Sequence, residues 1–387
     1  MKICIVTPAF PYPNRGEYYG LERYVENLAF NLKSIGNKIT IITTFYNGGG
    51  RYDNYKGIKI IRLLDTKSLF KELGVLGFVH YISFGLNLYR KKNFKYCIET
   101  DVVILNIPIP LTSIFKLKGI PVVSVFHHYV PITRLQEYLT YPFYHFLEHS
   151  QYKTNKDVIA ISESSKKSLI ENYKLKNDNI SIIPNGIDLK KFNPFKYSQK
   201  IKDKYGKNLL FYSGLMVPRK KVPVLLKAFK FVLKKRDDVH LLLSGDGPFL
   251  DRYKNLSKKL KINDKISFLG FIKDEELPKY YASSDLYILP SELEGFGQVI
   301  LEAMASGTPV ICADVPPMSD LIDGGGLTFK VNNPEDLADK ILSLLQNKEL
   351  LSRLKTNISK IIKKYKWTKI AEKYYQFCKE LLENQSV

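Results

Sequence analysis

Two alternating α/β domains, each built on a parallel sheet, are the fold class this sequence predicts. Three observations lead there. Short apolar runs of strand length recur along the chain and alternate with stretches of helical period. Glycine turns follow several of these runs, as strand–turn–helix units require. The alternation then lapses over 190–208, a polar stretch of little periodicity after the turn chemistry of Pro184-Asn-Gly-Ile-Asp188, and restarts. A chain of 387 residues is long enough for two domains at roughly 150 residues each. The expected division is 1–188 and 189–366, followed by a closing helix that starts at Trp367.

In the first half, 2–7 is a β-rich run followed by a proline-rich turn from Pro8 to Pro13. Tyr19-Gly20 opens a helix over 21–35 that places Leu21, Tyr24, Val25, Leu28, Ala29 and Leu32 on one face. Gly36 ends it and 38–44 is the next strand, completing a βαβ unit and implying parallel pairing. A further strand is expected at 58–63. From Leu73 to Tyr89 there is no formal charge, and Arg90-Lys91-Lys92 follow. The stretch is short for a membrane span and holds His80, Ser83 and Asn87, which favours a crossover helix buried on the sheet. The alternative is a membrane-touching segment with a basic flank. Strands at 101–106 and 122–126 come next, the second running into His127-His128. Polar residues at the carboxyl end of a strand in a doubly wound sheet face the ligand crevice, which makes a histidine here a functional candidate; a hydrogen-bonded structural role is the competing reading. The aromatic-rich stretch 138–149 reads as packing, or as the floor of an acceptor site. Strands at 158–161 and 180–183 complete this half.

In the second half, a strand at 209–213 leads into Gly214-Leu-Met-Val-Pro-Arg-Lys-Lys221 and a helix over 222–235. The strand at 240–244 leads into Gly245-Asp-Gly-Pro248, and further strands are expected at 266–269, 286–289 and 310–313. Just before the last of these lies the most informative stretch, Pro290 to Val310. Gly295 and Gly297 allow close backbone approach, and a helix from about 298 to 306 ends at Gly307 with Pro309 barring continuation. The unpaired N–H groups at the start of such a helix attract anions. Glu294 and Glu302 flank that start, and Ala303 and Ala305 are small enough for close seating on the sheet. This combination suits an anionic, hydroxyl-rich ligand.

Composition narrows the classes. Hydrophobic residues at 45% and charged residues at 25% are ordinary globular values. Cys4, Cys97, Cys312 and Cys378 stand far apart without metal or redox spacing, so buried free thiols in a reducing compartment are expected. Pro8 arrives too early for a signal-peptide core, which points to a cytoplasmic protein. The net charge of +21 is spread over both halves, mostly as lysine, with no basic arm and no nucleic-acid motif. It fits attraction to anions such as nucleotides and anionic lipid head groups, and argues against nucleic acid as partner.

Together these residues resemble a known family. Glu294-Gly-Phe-Gly-Gln-Val-Ile-Leu-Glu302 matches the E-x7-E motif of the retaining, nucleotide-sugar-dependent GT-B glycosyltransferases of family 4. Gly20, His127, Pro184-Asn-Gly, Arg219-Lys220, Gly245-Asp-Gly-Pro and Ser284-Asp285 support the match over nearly the whole chain. The resemblance implies two Rossmann-like domains facing across a cleft, with the final helix, 367–387, returning to the first domain. It implies a donor sugar nucleotide on the second domain, an acceptor hydroxyl (glycan, lipid-linked or small-molecule) on the first, and neither metal nor other cofactor.

By the same resemblance, Glu302 binds the ribose hydroxyls, Glu294 the donor sugar, and the backbone of Gly295, Phe296 and Gly297 lines sugar and phosphate. Lys220 and Arg219 neutralise the diphosphate, while His127 and the backbone near Gly20 lie beside the reacting sugar. Base contacts are expected near Phe271 and largely through backbone. The chemistry is consistent, since fixed cations and helix N–H groups stabilise the charge that builds on a departing diphosphate. The resemblance favours front-face attack through a short-lived oxocarbenium-like ion pair. Four positions depart from the family pattern: Leu215 stands where arginine is usual, Lys221 where glycine is usual, Tyr19 where a paired glycine is common, and Asp320 where glutamate is common. The rival readings are another GT-B activity, such as an epimerase or phosphorylase, and a nucleotide- or glycan-binding relative without turnover.

Overall fold

The structure is a computed structural model that describes residues 1–8, 10, 20–45, 50–65, 77–109, 112–127 and 135–385. The expected turn at Pro8–Pro13, Tyr19 and His128 lie wholly or partly outside the described residues, as do the start of the uncharged 73–89 stretch and most side chains of 138–144. The chain divides into two compact units, Met1–Gly186 with Trp367–Val387, and Ile187–Lys366.

The first unit carries strands β1 (Lys2–Val6), β2 (Lys38–Phe45), β3 (Tyr52–Tyr55), β4 (Ile58–Asp65), β5 (Val102–Leu105), β6 (Val122–Phe126), β7 (Val158–Ala160) and β8 (Ile180–Ile182). Its helices are α1 (Gly20–Ser34), α2 (Gly77–Leu88), α3 (Lys91–Ile98), α4 (Ser113–Leu117), α5 (Leu135–Thr154) and α6 (Glu163–Tyr173). The sheet order is β3-β4-β2-β1-β5-β6-β7-β8. All neighbours pair in parallel except β3 with β4. The central strands β1, β5 and β6 are buried along their length, Lys2 apart, and apolar but for Lys2 and Ser124, as strands covered on both faces must be. The polar edge strand β3, Tyr-Asp-Asn-Tyr, has no apolar alternation and went unread in the sequence. The crossover helix expected within 73–89 is present as α2.

The second unit carries β9 (Asn208–Ser213), β10 (Val239–Ser244), β11 (Ile266–Gly270), β12 (Leu286–Leu289), β13 (Val310–Ala313) and β14 (Gly326–Phe329). Its helices are α7 (Gln199–Tyr205), α8 (Val222–Leu233), α9 (Leu250–Lys259), α10 (Leu277–Ser283), α11 (Gln298–Ala305), α12 (Met318–Ile322), α13 (Pro334–Gln346) and α14 (Lys348–Ile361). The order is β11-β10-β9-β12-β13-β14, parallel throughout. β14 also went unread, because Gly324-Gly-Gly326 leads directly into it and looks like loop.

The final helix α15 (Trp367–Gln385) belongs to the first unit, where its Tyr374 meets Tyr24 of α1, hydroxyl to hydroxyl, at 2.5 Å. Gly186 packs so closely on Trp367 that a Cβ there would lie 2.4 Å from the indole. In the second unit, Ile187 donates its N–H to the Tyr365 carbonyl at 2.7 Å. All four cysteines are buried and free, as the sequence implied. Among the described residues no helix is long and apolar enough to cross a membrane.

Candidate active site

Each sheet reverses direction once. In the second unit the chain runs β9, β10, β11 to one side and then returns to place β12 on the other flank of β9. Ligands of open α/β sheets bind beyond the carboxyl ends of the strands at such a switch point. Here the loops that leave β9 and β12 are the Gly214–Lys221 loop and the Ser291–Gly297 loop.

Packing against the first of these loops explains a glycine in the loop that leaves β10. A Cβ on Gly245 would lie 1.9 Å from the Gly214 carbonyl oxygen, and Gly245 has φ +127°, in the left-handed region that favours glycine. Met216 donates to the Asp246 carbonyl at 2.9 Å and Phe249 to the Met216 carbonyl at 3.1 Å, while Gly245 donates to Gly270 at 2.8 Å. The ends of β9, β10 and β11 are thus laced together by backbone. Tyr212 adds a hydroxyl bond to the Leu215 carbonyl at 3.2 Å. Leu215 and Phe271 are left as exposed apolar side chains at this end.

The three successive cations of the first loop each engage the second. Lys220 forms a direct hydrogen-bonded ion pair with Glu294. Arg219 lies 3.8 Å from the other Glu294 oxygen and donates to the Leu293 carbonyl at 3.1 Å. Lys221 pairs with Glu292 at 2.8 Å. Glu292 in turn donates its N–H to the Arg219 carbonyl at 3.1 Å, which closes the loops on each other through main chain. Lys220 is only 8% exposed, and burial pushes its ammonium below the usual lysine range, against the pull of Glu294 in the opposite direction. A lysine ammonium carries three N–H donors, and here one of them is given to Glu294.

Glu302 sits on the buried face of α11 and serves a different network. The Tyr281 hydroxyl donates to it at 3.0 Å and also lies 2.6 Å from the Ser213 hydroxyl, itself 3.4 Å from the Tyr287 hydroxyl. Burial, with Glu302 next in weight, pushes the Tyr281 phenol well above its usual range, so it stays a protonated donor to the carboxylate. Gly297 caps α11 with φ +90°, a conformation that only glycine adopts without strain. The Phe296 ring is buried and lies 6.4 Å from the Tyr365 ring centre, so any ligand contact of that residue falls to its backbone. Ala303 and Ala305 are buried, as close seating of α11 requires.

In the first unit His127 directly follows β6. Its Nε2 lies 3.1 Å from Asn106 Oδ1, and its ring meets Tyr24 edge-on with centres 4.8 Å apart. Gly20 begins α1, and a Cβ there would meet nothing within 4 Å among the described residues.

The structure therefore brings Arg219, Lys220 and Glu294 into one constellation and places Glu302 and Gly297 on the adjoining helix, with Gly295 and Phe296 in the loop between. His127 and Gly20 lie in the other unit. Sequence reading missed Ser213, Tyr281 and Asn106. For Ser213 and Asn106 a signal was present: each is a polar residue closing an apolar strand, as His127 does. Among the described residues no group of three or more His, Cys, Asp or Glu is placed to hold a metal ion.

Comparison with known proteins agrees with this architecture. The family model for glycosyl transferases group 1 matches residues 195–361, and that for glycosyltransferase family 4 matches residues 18–191. The alpha-monoglucosyldiacylglycerol synthase of Streptococcus pneumoniae is 29% identical over 367 residues, covering 89% of this chain and 78% of that protein. Among solved structures, the sucrose-phosphate synthase of Thermosynechococcus elongatus superposes with a TM-score of 0.80 at 20% identity, over 99% of both chains. The HepE protein of Anabaena, solved with UDP and glucose, superposes with a TM-score of 0.75 at 19% identity, over 98% of this chain and 100% of its own. With a glycosyltransferase model matching each half and two parallel-sheet α/β units, the chain belongs to the GT-B glycosyltransferase superfamily.

Proposed function

We propose that this protein is a retaining, metal-independent glycosyltransferase that moves a hexose from a nucleoside diphosphate sugar to a hydroxyl acceptor. The observation that carries the reading is the Lys220–Glu294 pair, with Arg219 beside it, at the switch point of the second unit. In this reading Lys220 and Arg219 turn to the diphosphate when donor binds, and Glu294 exchanges part of its ion pairing for hydroxyls of the sugar. The N–H groups beginning α11 add to the positive field, and the charge developing on the leaving diphosphate is stabilised more than the ground state. Glu302, held by Tyr281, receives the ribose hydroxyls. Gly295, Phe296 and Gly297 contribute backbone, and the base is read as lying near Phe271, an exposed residue just beyond β11. His127 and the start of α1 at Gly20 serve the reacting sugar from the first unit.

The HepE neighbour, solved with UDP and glucose, supports a nucleotide sugar as donor. Of the acceptor classes considered, the alpha-monoglucosyldiacylglycerol synthase relative supports a lipid hydroxyl. A nucleotide-sugar donor fits our expectation of a cytoplasmic protein, and the net charge of +21 suits peripheral contact with the inner face of an anionic membrane.

The test is release of nucleoside diphosphate from a panel of nucleotide sugars and acceptors. Glu294→Ala and Lys220→Ala should each lower the rate by about a hundredfold or more. Unchanged rates would refute the site. Saturable nucleotide binding without acceptor-dependent release would identify a binding protein instead.

A further inference from the structure

The sheet of the first unit has its own switch point, between β1 and β5, since the chain fills β2, β4 and β3 on one side before crossing to β5 on the other. The residue immediately beyond β5 is Asn106. Its N–H is tied to the Val6 carbonyl of β1 at 2.9 Å, and it is 5% exposed. Its side-chain oxygen takes the hydrogen bond with His127 Nε2, while its buried Nδ2 has no hydrogen-bond partner among the described residues. Buried amide donors are almost always satisfied, so one left open at the ligand end of a sheet calls for a partner.

We propose that Asn106 has two functions in the reaction: its Oδ1 positions His127, and its Nδ2 donates a hydrogen bond to a sugar hydroxyl. This rests on the glycosyltransferase reading above. A carboxamide oxygen only accepts, so Nε2 carries a proton in this pairing, and in the neutral imidazole Nδ1 keeps its lone pair. The histidine is thereby held in one tautomer and one rotation, with Tyr24 closing the ring edge. The open amide N–H matches a hydroxyl oxygen, which either the donor hexose or a glycan acceptor offers.

Two substitutions separate the functions. Asn106→Asp keeps an oxygen acceptor for Nε2–H and loses the N–H donor, whereas Asn106→Ala loses both. Two-bond proton–nitrogen NMR, with His127 assigned by His127→Gln, should show Nε2 protonated in the wild type and in Asn106→Asp, and lose that preference in Asn106→Ala. The same variants should lower kcat/KM by about ten- to a hundredfold, with Asn106→Ala lowering kcat further than Asn106→Asp. Calorimetry with UDP-glucose, GDP-mannose and their free nucleoside diphosphates distinguishes the hydroxyl's source. Weaker binding of the sugar nucleotide alone assigns it to the donor hexose, and an unchanged donor Kd with a raised acceptor KM assigns it to the acceptor. A wild-type His127 protonated on Nδ1 overturns the proposal. So does a folded Asn106→Ala variant, checked by its melting temperature, with unaltered kcat and KM. If Glu294→Ala and Lys220→Ala impair turnover while both Asn106 variants do not, only this proposal fails.

Discussion

Lys221 shows how a single residue can be placed by backbone demand. It occupies φ 50°, in the left-handed region where glycine is the usual choice, and links Arg219-Lys220 to the start of α8. The family pattern's glycine at this position therefore has a conformational basis, and the lysine is held there in part by its pair with Glu292. Glu148 is placed by burial instead. It lies on α5, 7% exposed, takes a hydrogen bond from the Tyr173 hydroxyl of α6, and is pushed up to about 7, chiefly by burial. Its folded-state value is raised above that of the unfolded chain, so the native state binds the extra proton between roughly pH 4.5 and 7. Stability contributed by this group is thus greatest at low pH and falls as pH rises through that window, by about 3 kcal/mol. Urea unfolding of the wild type and Glu148→Gln at pH 5 and pH 8 should show a difference between the two proteins that changes by that order. A difference independent of pH would contradict the assignment.

At the scale of elements, the closing helix α15 is the one whose place cannot be inferred from its neighbours in sequence. It follows the second unit yet packs with α1, through Tyr374 on Tyr24 and through Trp367, whose ring centre is 5.6 Å from that of Tyr24. Trp367 is 6% exposed and fills the space that Gly186 leaves open. Trp367→Ala should destabilise the first unit by about 3–5 kcal/mol, the usual cost of deleting a large buried aromatic. Denaturant unfolding followed by tyrosine fluorescence or circular dichroism measures it. A loss under about 1 kcal/mol would mean that the helix docks mainly through its other turns.

For the whole molecule the dominant quantity is charge. A net +21 spread over both units creates a general attraction for anions rather than a nucleic-acid footprint. The protein is accordingly expected to co-sediment with vesicles holding about 30% anionic lipid at low ionic strength, and to release by about 0.5 M salt as the Debye length shrinks. Equal retention on neutral vesicles would show that apolar contact rather than charge drives association.

Local rules made much of this protein legible. Apolar runs, helical periods and glycine punctuation located most of the strands and the helices α1, α8, α11 and α15, because each depends on neighbours within a few residues. They also marked Glu294, Glu302, Gly297 and His127, whose types suit anion and hydroxyl chemistry, while Lys220 and Arg219 were singled out by the family resemblance. Strands without their own signal, β3 and β14, took shape only through pairing with β4 and β13. Strand order, and with it the two switch points, was likewise decided in three dimensions, since nothing local states which edge a strand will join. The same holds for the pairing of Lys220 with Glu294, of Glu302 with Tyr281 and of His127 with Asn106. Those partners lie 74, 21 and 21 residues apart, and only long-range packing brings their side chains within reach.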